Sequence, residues 1–101
     1  MAARLIWSDE ALNDVDAIAE YINRDSPFHA RRVAQELFAI AETVADQPKL
    51  GRIVPELNDD NVRERFLYSY RLIYEIQNDE LHILAVIHGR RLLEAISDRF
   101  T

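Results

Sequence analysis

The sequence contains no cysteine, and only two of its 101 residues are glycine. The absence of cysteine excludes disulfide bonds and any metal or nucleophile chemistry that depends on a thiolate. No apolar run approaches the roughly 20 residues that span a bilayer, and the opening "MAARLIWSDE" is too short and too soon acidic for a signal peptide. We therefore expect one cytoplasmic domain over residues 1–101, with no membrane segment.

Positive charge is also scarce. The chain carries 12 basic and 18 acidic side chains, which gives a formal net charge of −6. A protein that binds nucleic acid through its phosphates normally has an excess of positive charge, so any such contact here must be local. All the basic residues except Lys49 are arginine, whose planar fork suits carboxylates and phosphates.

Two amphipathic helices are predicted in the first half of the chain. The strand candidate "ARLIW" (3–7) is followed by Ser8, which has the character of a helix N-cap with two acidic residues behind it. Apolar residues then recur at helical spacing. Ser26 and Pro27 form an N-cap and first-turn pair that opens a second helix. The short turn between the helices predicts an antiparallel helix hairpin.

The second half is mostly strand. "RIVPEL", "VRERFLY", "YRLIYEI" and "LHILAVIH" predict extended segments because they are rich in β-branched and aromatic residues, and "RLLEAISDRF" predicts a possible short C-terminal helix. The order β–α–α–β–β–β predicts an α+β fold. In this fold the N-terminal helix hairpin packs on one face of a mainly antiparallel sheet.

A two-residue turn at Asn78–Asp79 would pair the last two strands so that one face is uniformly apolar. The pairs on that face would be Tyr70–Ile87, Leu72–Ala85, Tyr74–Ile83 and Ile76–Leu81. The pairs on the opposite, uncovered face would be Arg71–Val86, Ile73–Leu84 and Glu75–His82. His88 would share this second face and lie diagonal to Arg71, roughly 7–8 Å away at the backbone. Gly89 would then allow a sharp exit from the strand.

These segments, in this order and spacing, resemble the RelE/ParE superfamily of type II toxins. The resemblance is carried by "YINRDSPFHA", "PKLGRIVPEL", "VRERF", "YRLIYEI" and "ILAVIHGRR", and it covers roughly residues 5–92. It implies two helices packed on a curved antiparallel sheet, and a toxin that forms a hetero-oligomer with a cognate antitoxin. RelE-like and YoeB-like members cut messenger RNA in the ribosomal A site, whereas ParE-like members poison DNA gyrase.

The resemblance to the YoeB branch implies three catalytic positions. Glu56 of "PEL" matches the general base, Arg71 of "YRLIY" the arginine beside the phosphate, and His88 the general acid, while Gly89 falls where that branch has a tyrosine. The "HGRR" ending and the segment "YINRDSPFHARR" in the predicted helix hairpin are similar to ParE-like chains instead. Gyrase poisoning is therefore the favoured interpretation. The alternatives are ribosome-dependent mRNA cleavage and a degenerate toxin that only binds its antitoxin, and none of the three implies a cofactor or a metal.

Binding to the target or the antitoxin is predicted for basic residues of the last three strands and the segment that follows them. These residues are Arg63, Arg65, Arg71, His88, Arg90 and Arg91. A purely structural role stays open for Arg71, which could pair with Glu75 or Glu64, and for Glu56, which could pair with Arg52 or with an arginine on the sheet. Arg63 and Arg65 share one face of their strand, and the sequence leaves open whether Arg71 lies on that face.

Overall fold

The elements follow one another in the predicted order. The computed structural model describes residues 2–89 and 93–100. Its elements are β1 (Arg4–Trp7), α1 (Asp9–Asn23), α2 (Pro27–Asp46), β2 (Arg52–Ile53), β3 (Val62–Leu67), β4 (Tyr70–Gln77), β5 (Glu80–His88) and a C-terminal 3₁₀ helix (Leu93–Phe100). The predicted α+β class and helix hairpin are therefore confirmed.

Both helices begin at the serines that the sequence indicated. The hydroxyl oxygen of Ser8 accepts a hydrogen bond of 3.0 Å from the backbone N–H of Ala11, and that of Ser26 accepts one of 3.1 Å from His29. These bonds satisfy donors that the first turn of a helix otherwise leaves without partners. Pro27 occupies the start of α2, where no N–H is needed. No helix in residues 2–89 and 93–100 has the length and apolarity to cross a membrane.

The five strands form one mixed sheet in the order β1-β5-β4-β3-β2. β1 runs parallel to β5, and the other three pairs are antiparallel. The two helices cover one face of the sheet, which we call the helix face, and the opposite face is the outer face. The core beneath the helices is formed by Ala11, Val15, Val33, Leu37, Ala41, Val44, Leu72, Tyr74, Leu81, Ile83 and Val86.

The predicted register of the last hairpin is right near its turn and wrong beyond it. Close to the turn, the observed pairs are the predicted ones: Ile76–Leu81, Glu75–His82 and Tyr74–Ile83. A β-bulge at Leu84 then shifts the register by one residue. The observed pairs beyond the bulge are Ile73–Ala85, Leu72–Val86, Arg71–Ile87 and Tyr70–His88. The predicted pairs Tyr70–Ile87, Leu72–Ala85, Arg71–Val86 and Ile73–Leu84 are therefore wrong.

The sequence did not indicate the bulge, because the middle of the β4–β5 hairpin is apolar on both faces. A second core on the outer face contains Val54, Val62, Ile73, Ala85 and Ile87, with Leu57 and Phe100 packed against it. The expectation that the outer face is uncovered was wrong as well. The segment after β2 and the C-terminal 3₁₀ helix cover part of it, so apolar side chains on either face could satisfy burial in either register.

Candidate functional site

Arg71 lies on the outer face of β4, and its guanidinium is held between two carboxylates. Nη1 and Nη2 donate to the two oxygens of Glu56 at 2.9 and 3.1 Å. Nε donates to Oε1 of Glu64 at 2.8 Å, and Nη2 lies 2.6 Å from the same oxygen. Only 6% of the Arg71 side chain is exposed. The pairing of Arg71 with Glu64, which the sequence offered as a structural alternative, is therefore present.

Glu64 extends this cluster toward the edge of the sheet. Its side chain is fully buried, and its second oxygen accepts a hydrogen bond of 2.6 Å from Nε of Arg52. The Arg52 guanidinium also lies 5.1 Å from the centre of the Phe66 ring. Arg52, Glu64, Arg71 and Glu56 thus alternate in charge, and we call them the outer-face ion network. The fixed charges compensate one another, which a buried carboxylate requires.

The network changes the proton affinity of its members. The hydrogen bonds from Arg71 hold the pKa of Glu56 below its ordinary value. Burial by itself would lower the pKa of Arg71, but the hydrogen bonds to Glu56 and Glu64 outweigh it and the pKa is raised. Glu56 is therefore an ionised carboxylate at neutral pH and a weaker base than an isolated glutamate.

His88 lies on the helix face, opposite to Arg71. It pairs with Tyr70 across the ladder, and the two rings meet edge to face with their centres 6.0 Å apart. The prediction that His88 shares a face with Arg71 is therefore wrong, because the bulge at Leu84 inserts one extra residue between the turn and His88. The structure brings Glu56 and Arg71 together and separates His88 from both.

His88 instead lines a groove of about 590 Å³ between the helix hairpin and the ends of β4 and β5. Aromatic residues contribute to its walls, and its aliphatic residues come from both helices and from β5. The aromatic and histidine residues are Tyr21, His29, Tyr68, Tyr70 and His88. Tyr21 and Tyr68 are exposed, and Tyr68 has a left-handed backbone with φ 52° in the β3–β4 turn. Such a groove can accommodate apolar side chains of a protein partner.

The other predicted binding residues fall in separate places. Arg63 and Arg65 lie on the helix face, so they do not share the face of Arg71. Arg63 is committed to its own chain, because it donates to the carbonyl oxygen of Gly51 at 2.9 Å and to the carboxylate of Asp60 at 3.0 Å. Arg65 has a buried Nε atom without a hydrogen-bond partner. Arg90 and Arg91 lie outside the described residues.

The sequence did not predict the contact that Asp14 makes with Arg99 and with the backbone of β5. The carboxylate of Asp14 in α1 accepts hydrogen bonds from the backbone N–H of Val86 at 2.9 Å and from Nη1 of Arg99 at 2.7 Å. Arg99 also donates to the carbonyl oxygen of Leu84 at 3.3 Å, and its pKa is raised by the bond to Asp14. Asp14 and Arg99 therefore provide hydrogen-bond partners for the N–H of Val86 and the carbonyl oxygen of Leu84. These backbone groups lie at the bulge in β5, just after the residues that pair with β1. Asp14 and Arg99 are 85 residues apart, so no local pattern connects them.

No group of three or more histidine, aspartate or glutamate side chains suited to a metal ion is present within residues 2–89 and 93–100.

The helix hairpin on one face of a mainly antiparallel sheet agrees with the fold that the resemblance to RelE/ParE toxins implies. A family model described as "ParE toxin of type II toxin-antitoxin system, parDE" matches residues 5–93. The chain belongs to this family of toxins, and an antitoxin is its expected partner.

Two further comparisons agree with this assignment. The "Toxin RelE2" of Caulobacter vibrioides is 32% identical over 91 residues, which cover 89% of this chain and 99% of that protein. A chain from the "Chromosomal ParDE TA system from P. aeruginosa" has the same fold, with a TM-score of 0.71 at 21% identity. That similarity covers 86% of this chain and 96% of the other.

Proposed function

We propose that this toxin arrests growth by poisoning DNA gyrase and that a cognate antitoxin neutralises it. Membership of the ParE family supports this target, because the ParE-like members of the superfamily poison gyrase. The observation that carries the choice between gyrase poisoning and mRNA cleavage is the position of Arg71. Its guanidinium is buried between Glu56 and Glu64, on the sheet face opposite to His88.

Metal-independent RNA cleavage needs a base, an acid and a cation within reach of a single phosphate. In this protein Glu56, which matches the base, accepts two hydrogen bonds from Arg71, which matches the cation. A phosphate that approached Arg71 would have to displace the carboxylate that the same mechanism uses as its base. The matching acid, His88, faces the helices instead. This arrangement favours action through protein binding over catalysis.

The test measures both activities on one preparation of toxin. The expected result is loss of gyrase supercoiling, or trapping of cleaved DNA, at a toxin concentration at which primer extension detects no cuts at A-site codons. Premixing with the antitoxin encoded beside the toxin gene should restore supercoiling. Supercoiling that stays intact at toxin excess contradicts the proposal.

Variants on the two faces distinguish the alternatives. Glu56→Gln is expected to leave gyrase poisoning in place, because the change removes no Arg71–Glu64 contact. Glu56→Gln and His88→Ala both test A-site cutting. If A-site cuts do appear and both variants abolish them, the ribonuclease alternative replaces gyrase poisoning. A folded toxin that binds its antitoxin and shows neither activity corresponds to the degenerate toxin.

A further inference from the structure

The side of α2 that faces away from the core carries a continuous stripe of exposed side chains. Exposed residues recur along it every three or four positions, which places them on one side of the helix. We call this surface the α2 stripe, and its residues are Phe28, Arg31, Gln35, Phe38, Ala39 and Glu42. The buried residues of α2 lie on the opposite side of the helix, in the core beneath it.

The two halves of the α2 stripe differ in shape. The first half has a shallow hollow of about 400 Å³, lined by Phe28, Arg31, Arg32 and Gln35. These positions are spaced as i, i+3, i+4 and i+7, which is the spacing of the four residues that receive a side chain of a facing helix. The second half has Ala39, whose small side chain allows close approach, and Phe38, which is 40% exposed. The Phe38 ring is held in place by Trp7, with the ring centres 4.9 Å apart.

Charge is also divided between the two halves. Arg31 lies in the first half, whereas Glu42 and the last helical residue, Asp46, lie in or beyond the second. These three side chains form no ion pair with any residue in the ranges 2–89 and 93–100. Arg31 and Glu42 are too far apart to pair within one helix, because eleven residues span about 16 Å along its axis. The acidic end also opposes the helix dipole, which favours basic residues in the last turn.

A surface with these two unlike halves is complementary to a second copy of itself. A two-fold axis at Gln35 would set two α2 helices antiparallel, and a contact of this kind joins the same patch of both copies. Ala39 of one copy would then lie over the hollow of the other. Arg31 would lie between Phe38 and Glu42 of the other copy, which are neighbours on one side of the helix. There its guanidinium can contact both the aromatic ring and the carboxylate.

We propose that the α2 stripe is the contact surface between two copies of this toxin, which pair antiparallel about a two-fold axis at Gln35. One helix pair buries less than the ~1,200–2,000 Å² of a stable complex, so the dimer is weak and reversible. The net charge of −6 on each copy does not prevent it, because physiological salt screens charges farther apart than about 8 Å. The proposal is independent of the gyrase target and of the antitoxin.

Sedimentation equilibrium of the free, full-length toxin tests the dimer at concentrations up to about 1 mM. The wild type is expected to show a monomer–dimer equilibrium. Arg31→Glu and Glu42→Arg each place like charges across the interface, so each should raise the dissociation constant at least about tenfold. The matched control is Asp59→Arg, which makes the same change in charge as Glu42→Arg in the exposed loop between β2 and β3. It should leave the dissociation constant within about twofold of the wild type.

Mixing the two single variants tests the antiparallel geometry. The Arg31→Glu chain is acidic in both halves of its stripe, and the Glu42→Arg chain is basic in both. Each chain should therefore repel its own copies and attract the other chain. An equimolar mixture is expected to form a heterodimer with a dissociation constant within about threefold of the wild-type value. Circular dichroism confirms that both variants keep the fold.

Three outcomes would overturn the proposal. The first is a wild-type toxin that stays monomeric at the highest concentration. The second is a dimer that both single variants leave unchanged, and the third is a mixture of weakened variants that does not recover the dimer. If the wild type is monomeric and a folded Arg31→Glu variant no longer poisons gyrase, the α2 stripe is a contact surface for the target instead. Failure of gyrase poisoning in a wild-type toxin that dimerises removes only the proposed function.

Discussion

The outer-face ion network allows a prediction that separates a structural role of Arg71 from a catalytic one. In Arg71→Met, the fully buried carboxylate of Glu64 loses the donors of Arg71 and keeps only Arg52. Removing one partner of a buried ion pair costs about 3–5 kcal/mol, because the remaining charge stays desolvated. Since Arg52 still neutralises part of that charge, we expect a loss near the lower limit, about 3 kcal/mol. The loss is large against the total stability of such a domain, about 5–15 kcal/mol.

Urea unfolding followed by circular dichroism measures this loss. With m values of about 1–3 kcal/mol/M, a loss of about 3 kcal/mol lowers the midpoint by about 1–3 M. The matched control is Arg32→Ala, which breaks the exposed pair with Glu36 in α2. It should change stability by only about 0.3–0.5 kcal/mol. A loss below about 1 kcal/mol for Arg71→Met would refute the reasoning about burial.

A second substitution tests the mechanism of the loss. Arg71→Met combined with Glu64→Leu removes both buried charges, and replacing a buried ion pair by apolar groups is often neutral. The double variant should therefore recover most of the stability, within about 1 kcal/mol of the wild type. If Arg71 has a structural role, the double variant also recovers toxicity. A stable double variant that has lost all toxicity would indicate instead that the guanidinium acts on the target.

Three further predictions concern other contacts. Tyr74→Phe should lower the free energy of unfolding by about 1–3 kcal/mol in urea titrations, because the N–H of Gly51 is left buried without an acceptor; an unchanged midpoint would contradict this. Arg99→Ala should increase hydrogen exchange at the C-terminal 3₁₀ helix more than at β3, since it breaks the bonds to Asp14, and equal exchange at both would contradict a local role. The lowered pKa of Glu56 means that ionisation of this residue stabilises the fold; the contribution is present above pH 4.5, the ordinary value, and is lost as the pH falls through the lowered pKa. Acid titration of Glu56→Gln should therefore show a shallower loss of stability below pH 4.5 than the wild type.

Local patterns in the sequence determined the elements and their order. The two N-cap serines and the helical spacing of apolar residues predicted α1 and α2, because capping and amphipathicity depend on neighbours in the chain. The turn at Asn78–Asp79 and the first pairs beside it were predicted for the same reason. The family resemblance followed from this order, and the family model that matches residues 5–93 agrees with it.

The arrangement of the candidate site was decided only by tertiary structure. A single bulge at Leu84 moved His88 to the helix face, and no local pattern revealed it, because side chains on both faces of β4 and β5 find apolar partners. Glu64 became the buried centre of the outer-face ion network through contacts with Arg52 and Arg71, which are distant in sequence. A strand pattern has a period of two, so one inserted residue reverses the face of everything after it. The sequence therefore determined which residues form the strands, and the packing of the second core determined which of them lie together.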